Sequence, residues 1–74
     1  MVLRALTAFG RRVRTRRRAA GLTQTQLAER AHLRKHFIWR IECEQANPSL
    51  ATIALVAAAL GCEIHELFTD QPEP

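Results

Sequence analysis

A chain of 74 residues with 47% hydrophobic content suffices for one small domain and argues against intrinsic disorder, although a domain of this size buries only about 60% of its unfolded surface and is marginal alone. No run approaches the ~20 apolar residues of a membrane span, and an arginine-rich block follows Met1–Phe9 where a signal peptide would need its cleavage region; a cytoplasmic protein away from the membrane is expected. The net charge of +4 is unevenly placed: all eleven basic residues lie between Arg4 and Arg40, and from Glu42 onward there are six acids and no Lys or Arg. Such polarity suits a polyanion at one end of the molecule, although a solvated basic helix and an acidic solubilising tail would give the same pattern.

In chain order, residues 1–7 read as a flexible start. A first helix is expected from Ala8 or Phe9 to Ala20, with Phe9, Val13 and Arg17 on one line and Arg11, Arg14 and Arg18 on a second; Gly21 terminates it in left-handed conformation. Thr23 is a good N-cap for a second helix, with Gln26 three residues on for a capping box and Leu22 and Leu27 for a hydrophobic staple. Leu27, Ala28 and Ala31 make its apolar stripe. That helix should fade near His32, and a third should begin at Leu33, so that a helix-turn-helix unit spans about 23–43.

Projected at 100° per residue, Lys35, His36, Trp39, Arg40 and Cys43 fall within an arc of roughly 140°, and Phe37, Ile38 and Ile41 fall opposite. An ordinary surface helix would show the same split. The outward chemistry points further, because Arg, Lys and His are donors for guanine edges or phosphates, and an outward Trp39 has no evident solvent purpose. Residues 44–49 form a loop with Asn47-Pro48 turn chemistry. Ser49 caps a fourth helix from Leu50 to Leu60 that stops at Gly61, with Ile53, Val56, Ala57 and Leu60 as core stripe and Leu55 and Ala58 left over. Glu63–Phe68 read as a short fifth helix, and 69–74 as a disordered acidic tail.

Other chemistries find little support. Cys43 and Cys62 suggest reduced thiols, and Cys43 lies on the outward arc, poorly placed for a disulfide to Cys62. His32, His36 and Cys43 lack the second closely spaced ligand pair of a zinc site, so no metal or cofactor is expected. There is no Ser/His/Asp set, glycine-rich phosphate loop or paired carboxylates in an evident cleft, so no enzyme is expected. RNA binding is disfavoured because no sheet with stacking aromatics is readable. An adaptor that binds another protein through Trp39 and Phe37 is the alternative to DNA binding.

Leu22-Thr23-Gln24 through Ala28, Ile38-x-Arg40-Ile41-Glu42, Asn47-Pro48-Ser49-Leu50, Ala59-Leu60-Gly61 and Glu66-Leu67-Phe68 together resemble the Cro/C1-type (XRE) helix-turn-helix DNA-binding domains, over about Phe9 to Phe68. The resemblance implies an all-α, five-helix, lambda-repressor-like domain over residues 8–68. It implies base reading by Lys35, His36 and Arg40, and backbone gripping by Gln24 and Asn47; beside them Trp39 is expected over a thymine methyl or a sugar, and Thr23, Arg34 and Arg14 are expected at phosphates. It implies a buried ion pair between Arg17 and Glu42, and a homodimer through Leu55, Ile64 and Phe68. The implied partners are double-stranded DNA and a second copy of the chain, with room for an RNA polymerase contact and no small-molecule ligand. At this length no effector-binding domain is expected. The implied role is an autoregulating transcription regulator on (pseudo)palindromic operators, of controller, prophage or antitoxin-like type. Four positions depart from the pattern: His32 and Glu44 stand where glycines are usual, Arg34 replaces a Ser/Thr cap so that the third helix needs a cap from elsewhere, and Arg16 replaces a leucine.

Overall fold

The computed structural model describes residues 2–68, with side chains from residue 8 onward; Met1 and the expected disordered tail at 69–74 lie outside the described residues. The chain forms α1 (Val2–Ala19), α2 (Gln24–Ala31), α3 (Lys35–Glu42) and α4 (Leu50–Leu60), followed by a 3₁₀ turn at Ile64–Leu67. Among the described residues there is no strand.

Helix α1 begins at Val2, six residues before the expected start, so the flexible segment expected over 1–7 is helical from Val2. The physical reason is the lack of a breaker: Leu3, Ala5 and Leu6 are strong helix formers with no Pro among them. Gly21, at φ 74°, ends α1 while the Leu22 N–H returns to the Arg17 carbonyl at 3.0 Å. Thr23 then caps α2 reciprocally. Its Oγ1 accepts the Gln26 N–H at 3.0 Å, and Gln26 Oε1 accepts the Thr23 N–H at 2.9 Å. Two otherwise unpaired donors are satisfied, a device worth about 1 kcal/mol.

The turn between α2 and α3 is closed by His32 in left-handed conformation, φ 60°, with the Leu33 N–H bonded to the Ala28 carbonyl at 2.9 Å. Leu33 therefore belongs to the turn, half-buried against the core, and α3 starts at Lys35 rather than at Leu33. Arg34 is extended at the N-cap and its side chain makes no capping hydrogen bond to this helix. The far end of α3 repeats the device: Glu44 sits at φ 63° and the Gln45 N–H bonds the Arg40 carbonyl at 2.8 Å. Ser49 Oγ accepts the Thr52 N–H at 3.2 Å to start α4, and Gly61 ends it at φ 73°.

The expected fifth helix is instead a single 3₁₀ turn of four residues. Its bonds run i to i+3, from the Glu66 N–H to Glu63 and from the Phe68 N–H to His65, both 3.0 Å. Tertiary seating explains the tightening. Leu67 is fully buried, and the Phe68 ring stacks on Phe9 with centroids 5.1 Å apart. Both anchors are adjacent residues, and a 3₁₀ turn, with fewer residues per turn, rotates successive side chains further apart around the axis than an α-helix does.

One core holds these elements. Phe9, Val13, Leu27, Ala28, Ile38, Ile41, Ile53, Val56, Ala57 and Leu67 form a contiguous buried cluster. Each fully buried large side chain contributes about 1.5–3 kcal/mol relative to exposure. Helix α3 packs on both α1 and α2, and α4 packs on α2. The approach of α1 to α3 depends on Gly10: a Cβ built there would strike the Ile41 carbonyl oxygen and crowd Glu44 Cγ at 3.4 Å. The base of α3 is thereby held against two helices while its other face stays open.

Candidate nucleic-acid interface

The open face of α3 carries Lys35, His36, Trp39 and Arg40, all exposed. Trp39 is 41% exposed, whereas Ile38 is at 0% and Ile41 at 2%. Singly exposed apolar residues are ordinary on a protein surface; what sets Trp39 apart is that it stands among the basic side chains Lys35, His36 and Arg40. His36 and Trp39, one turn apart, stack with ring centroids at 5.6 Å and planes 18° apart. Arg40 Nη2 donates to the Gln45 carbonyl at 3.0 Å, which steadies the side chain and leaves its other donors open.

The tilt of this helix is set at its C-terminal end by a buried carboxylate. Glu42, 7% exposed, accepts from Arg17 Nε at 2.7 Å and from Nη2 at 3.0 Å, the two-pronged geometry that favours Arg over Lys. Arg17 Nη1 donates to the Leu22 carbonyl at 2.9 Å, and Gln24 Nε2 donates to Glu42 Oε1 at 3.1 Å. One side chain of α3 thus ties together α1, the α1–α2 turn and the first residue of α2. The hydrogen bond to Glu42 raises the pKa of Arg17 above its ordinary value, against burial, which lowers it.

Beside this network runs a groove of about 220 Å³ lined by Arg14, Arg17, Arg18, Gln24, Trp39, Glu42 and Cys43. Arg14 and Arg18 are exposed on its α1 wall. The arrangement gathers three of the expected contact residues, Arg14, Gln24 and Trp39, around one basic channel at the edge of α3. Gln24, half-buried, donates through its amide to Glu42, and Thr23, exposed, caps α2 through its hydroxyl oxygen. Arg34 is exposed at the start of α3, and Asn47 is exposed in the loop after it.

The three side chains expected at a dimer contact are placed differently from one another. Leu55 is 42% exposed, but Ile64 and Phe68 are partly buried and pack against the core; their apolar surface already has an intrachain partner. The surface left over is on α4, which has no charged residue. Leu50 is 71% exposed, and Ala51, Ala54, Leu55 and Ala58 continue the same exposed face. Cys43 is exposed and Cys62 half-buried, both as free thiols, and burial raises the Cys62 pKa. Among the described residues, no three His, Cys, Asp or Glu side chains gather to hold a metal ion, and no helix is long and apolar enough to cross a membrane.

Sequence reasoning missed the Gln24–Glu42 bond, the Gly10 contact, the exposed Leu50 and the Arg16–Glu66 pair at 3.5 Å. It also missed the His36–Trp39 stack, for which the i, i+3 spacing was a usable signal.

Two short helices joined by a tight turn, the second displaying basic and aromatic side chains over a pinned base, define a helix-turn-helix unit. Residues 8–67 match the helix-turn-helix domain family, and the chain belongs to it. Among its relatives are the immunity repressor protein of Bacillus phage phi105, 39% identical over 84% of this chain and 43% of that protein, and the control protein C.SmaI of Serratia marcescens, 36% identical over 80% of this chain and 70% of that protein. The crystal structure of the restriction-modification controller protein C.AhdI from Aeromonas hydrophila superposes with a TM-score of 0.82 and 41% identity, over 85% of this chain and 96% of that one. The chain spans 43% of the length of that phage repressor and 60% of the length of two Bacillus relatives, the HTH-type transcriptional regulators SinR. These relatives are regulators by name, not enzymes.

Proposed function

We propose that this protein is a cytoplasmic, sequence-specific double-stranded DNA-binding transcription regulator that acts as a homodimer on (pseudo)palindromic operators and regulates its own synthesis. The observation that carries this proposal is the face of α3: Lys35, His36, Trp39 and Arg40 are exposed above buried Ile38 and Ile41. Lys35, His36, Trp39 and Arg40 read base edges. Thr23, Gln24, Arg34, Asn47 and Arg14 set position on the sugar-phosphate backbone, the usual division of labour in such interfaces. The N-terminus of α2 adds backbone N–H groups and a partial positive charge.

Support for the homodimer comes from α4. An uncharged helix with Leu50, Ala51, Ala54, Leu55 and Ala58 exposed lacks the polar face of an ordinary surface helix. Pairing through that face presents two copies of α3 to half-sites about one helical turn apart, ~34 Å. Of the regulator types that share this domain, a controller acting on paired operators is favoured, in line with the names of C.SmaI and C.AhdI. RNA polymerase is the further partner that an activating role requires. Selection of bound sites from random duplexes, followed by sequencing, tests the proposal. The expected result is a palindromic consensus. Retention without any consensus would remove base reading, and a lack of salt-sensitive retention would point to the protein adaptor alternative instead.

A further inference from the structure

The exposed residues of α3 are short of one kind of chemistry. Lys35, Arg40 and the Trp39 indole are donors only, and His36 alone offers an acceptor when neutral. Glu42, the one carboxylate of the helix, is buried and committed to Arg17 and Gln24. The face therefore has no Asn or Gln to grip adenine bidentately and no free carboxylate for the cytosine amino group. It has instead an aromatic plate. The His36 and Trp39 rings stack 5.6 Å apart, and in projection they lie between Lys35 and Arg40 at the edges of the arc. The backbone beneath is immobilised by Ile38, at 0% exposure, and Ile41, at 2%. The indole also borders the basic groove of Arg14, Arg18 and Gln24, so the plate sits where the backbone channel meets the reading face.

A fixed apolar plate between two cations needs an apolar partner between two acceptor-rich ones. In the major groove the apolar group on a base edge is the C5 methyl of a pyrimidine. We propose that the stacked His36–Trp39 pair is a specificity element for a pyrimidine C5 methyl group, whether carried by thymine or by 5-methylcytosine. The proposal rests on the base-reading role of α3 given above and adds what that helix reads. Trp39 supplies the contact surface, and His36 holds the indole in place.

The test is a thymine-to-uracil scan of the selected duplex, which removes one methyl at a time and leaves every hydrogen-bonding group unchanged. Wild-type protein should lose about fourfold in affinity per methyl under the plate, the value of burying one methyl-sized group. Trp39→Ala should bind the thymine and uracil duplexes equally while retaining wild-type helicity, and Trp39→Phe should restore part of the contrast. Cytosine against 5-methylcytosine at the same position separates the sources: a contrast with thymine alone, with 5-methylcytosine alone or with both assigns the methyl carrier. A consensus that survives selection while wild-type protein ignores both kinds of methyl at every position overturns this inference and leaves DNA reading intact. A contrast that persists in Trp39→Ala also overturns it. Selection that returns no consensus removes base reading itself, and this inference with it.

Discussion

Replacing Glu42 with Ala should be among the most damaging single changes in this protein. The substitution leaves the Arg17 guanidinium, whose side chain is 12% exposed, with the Leu22 carbonyl as its remaining hydrogen-bond partner, and it strips Gln24 of its acceptor. Breaking one side of a buried pair costs ~3–5 kcal/mol, because the surviving charge stays desolvated and unpaired. Against a total stability of ~5–15 kcal/mol, at the low end for a chain this short, that is most of the margin. With ~4–8 °C per kcal/mol for a domain of this size, the melting temperature should fall by on the order of 20 °C. The control is the Arg16–Glu66 pair, 3.5 Å apart with side chains 42% and 40% exposed. Arg16→Ala should cost less than ~1 kcal/mol, since solvent screens such pairs. Urea unfolding followed by circular dichroism measures both. The double change Arg17→Met with Glu42→Leu should recover most of the loss, because an apolar replacement carries no desolvation penalty. If Glu42→Ala proves no worse than Arg16→Ala, the carboxylate does not hold α3 and the reasoning fails. Because folding raises the Arg17 pKa, the guanidinium's share of stability is full below its ordinary value and fades only as pH climbs through the folded value. No step from this group should therefore appear between pH 6 and 9.

Other expectations rest on separate features. Gly10→Ala should destabilise by about 1–2 kcal/mol, since overpacking against the Ile41 carbonyl exceeds the gain in helix propensity; a rise in melting temperature would refute the close approach of α1 to α3. His32→Gly should stabilise by about 0.5–1 kcal/mol with unchanged DNA affinity, because glycine carries no penalty at φ 60°, and thermal melts decide the sign. Arg40→Ala should relax sequence preference while keeping salt-sensitive binding to random DNA, whereas Gln24→Ala should weaken all duplexes alike; an equal loss on specific and random DNA for Arg40→Ala would argue against base reading. If a dimer neutralises ~6–10 phosphates, affinity should fall ~10³–10⁵-fold between 50 and 200 mM salt. Leu55→Glu should shift a dimer to monomer in sedimentation, since it puts charge on the apolar face of α4; a wild-type monomer at all concentrations would sink the α4 interface.

Local codes made much of the fold legible without coordinates. The Thr23–Gln26 capping box, Ser49 and the glycines at 21 and 61 act through bonds within a few residues, so reading them needs only their order. The split of α3 followed from helical periodicity, and Ile38 and Trp39 lie on the sides that periodicity assigned. The beginning of α1 and the collapse of the last helix to a 3₁₀ turn were not legible. The first depends on an absence of breakers that a flexible terminus shares, and the second on where the Leu67 and Phe68 side chains find the core.

Amino-acid order alone settled which residues of α3 face in and which face out, since 3.6-residue periodicity is a property of the backbone. Only packing in three dimensions decided that Glu42 meets both Arg17 and Gln24, that Gly10 lies on the Ile41 carbonyl, that Phe68 covers Phe9, and that α4 keeps an uncovered apolar face. Those contacts join residues far apart in the chain, and their energies depend on distances that no local pattern encodes.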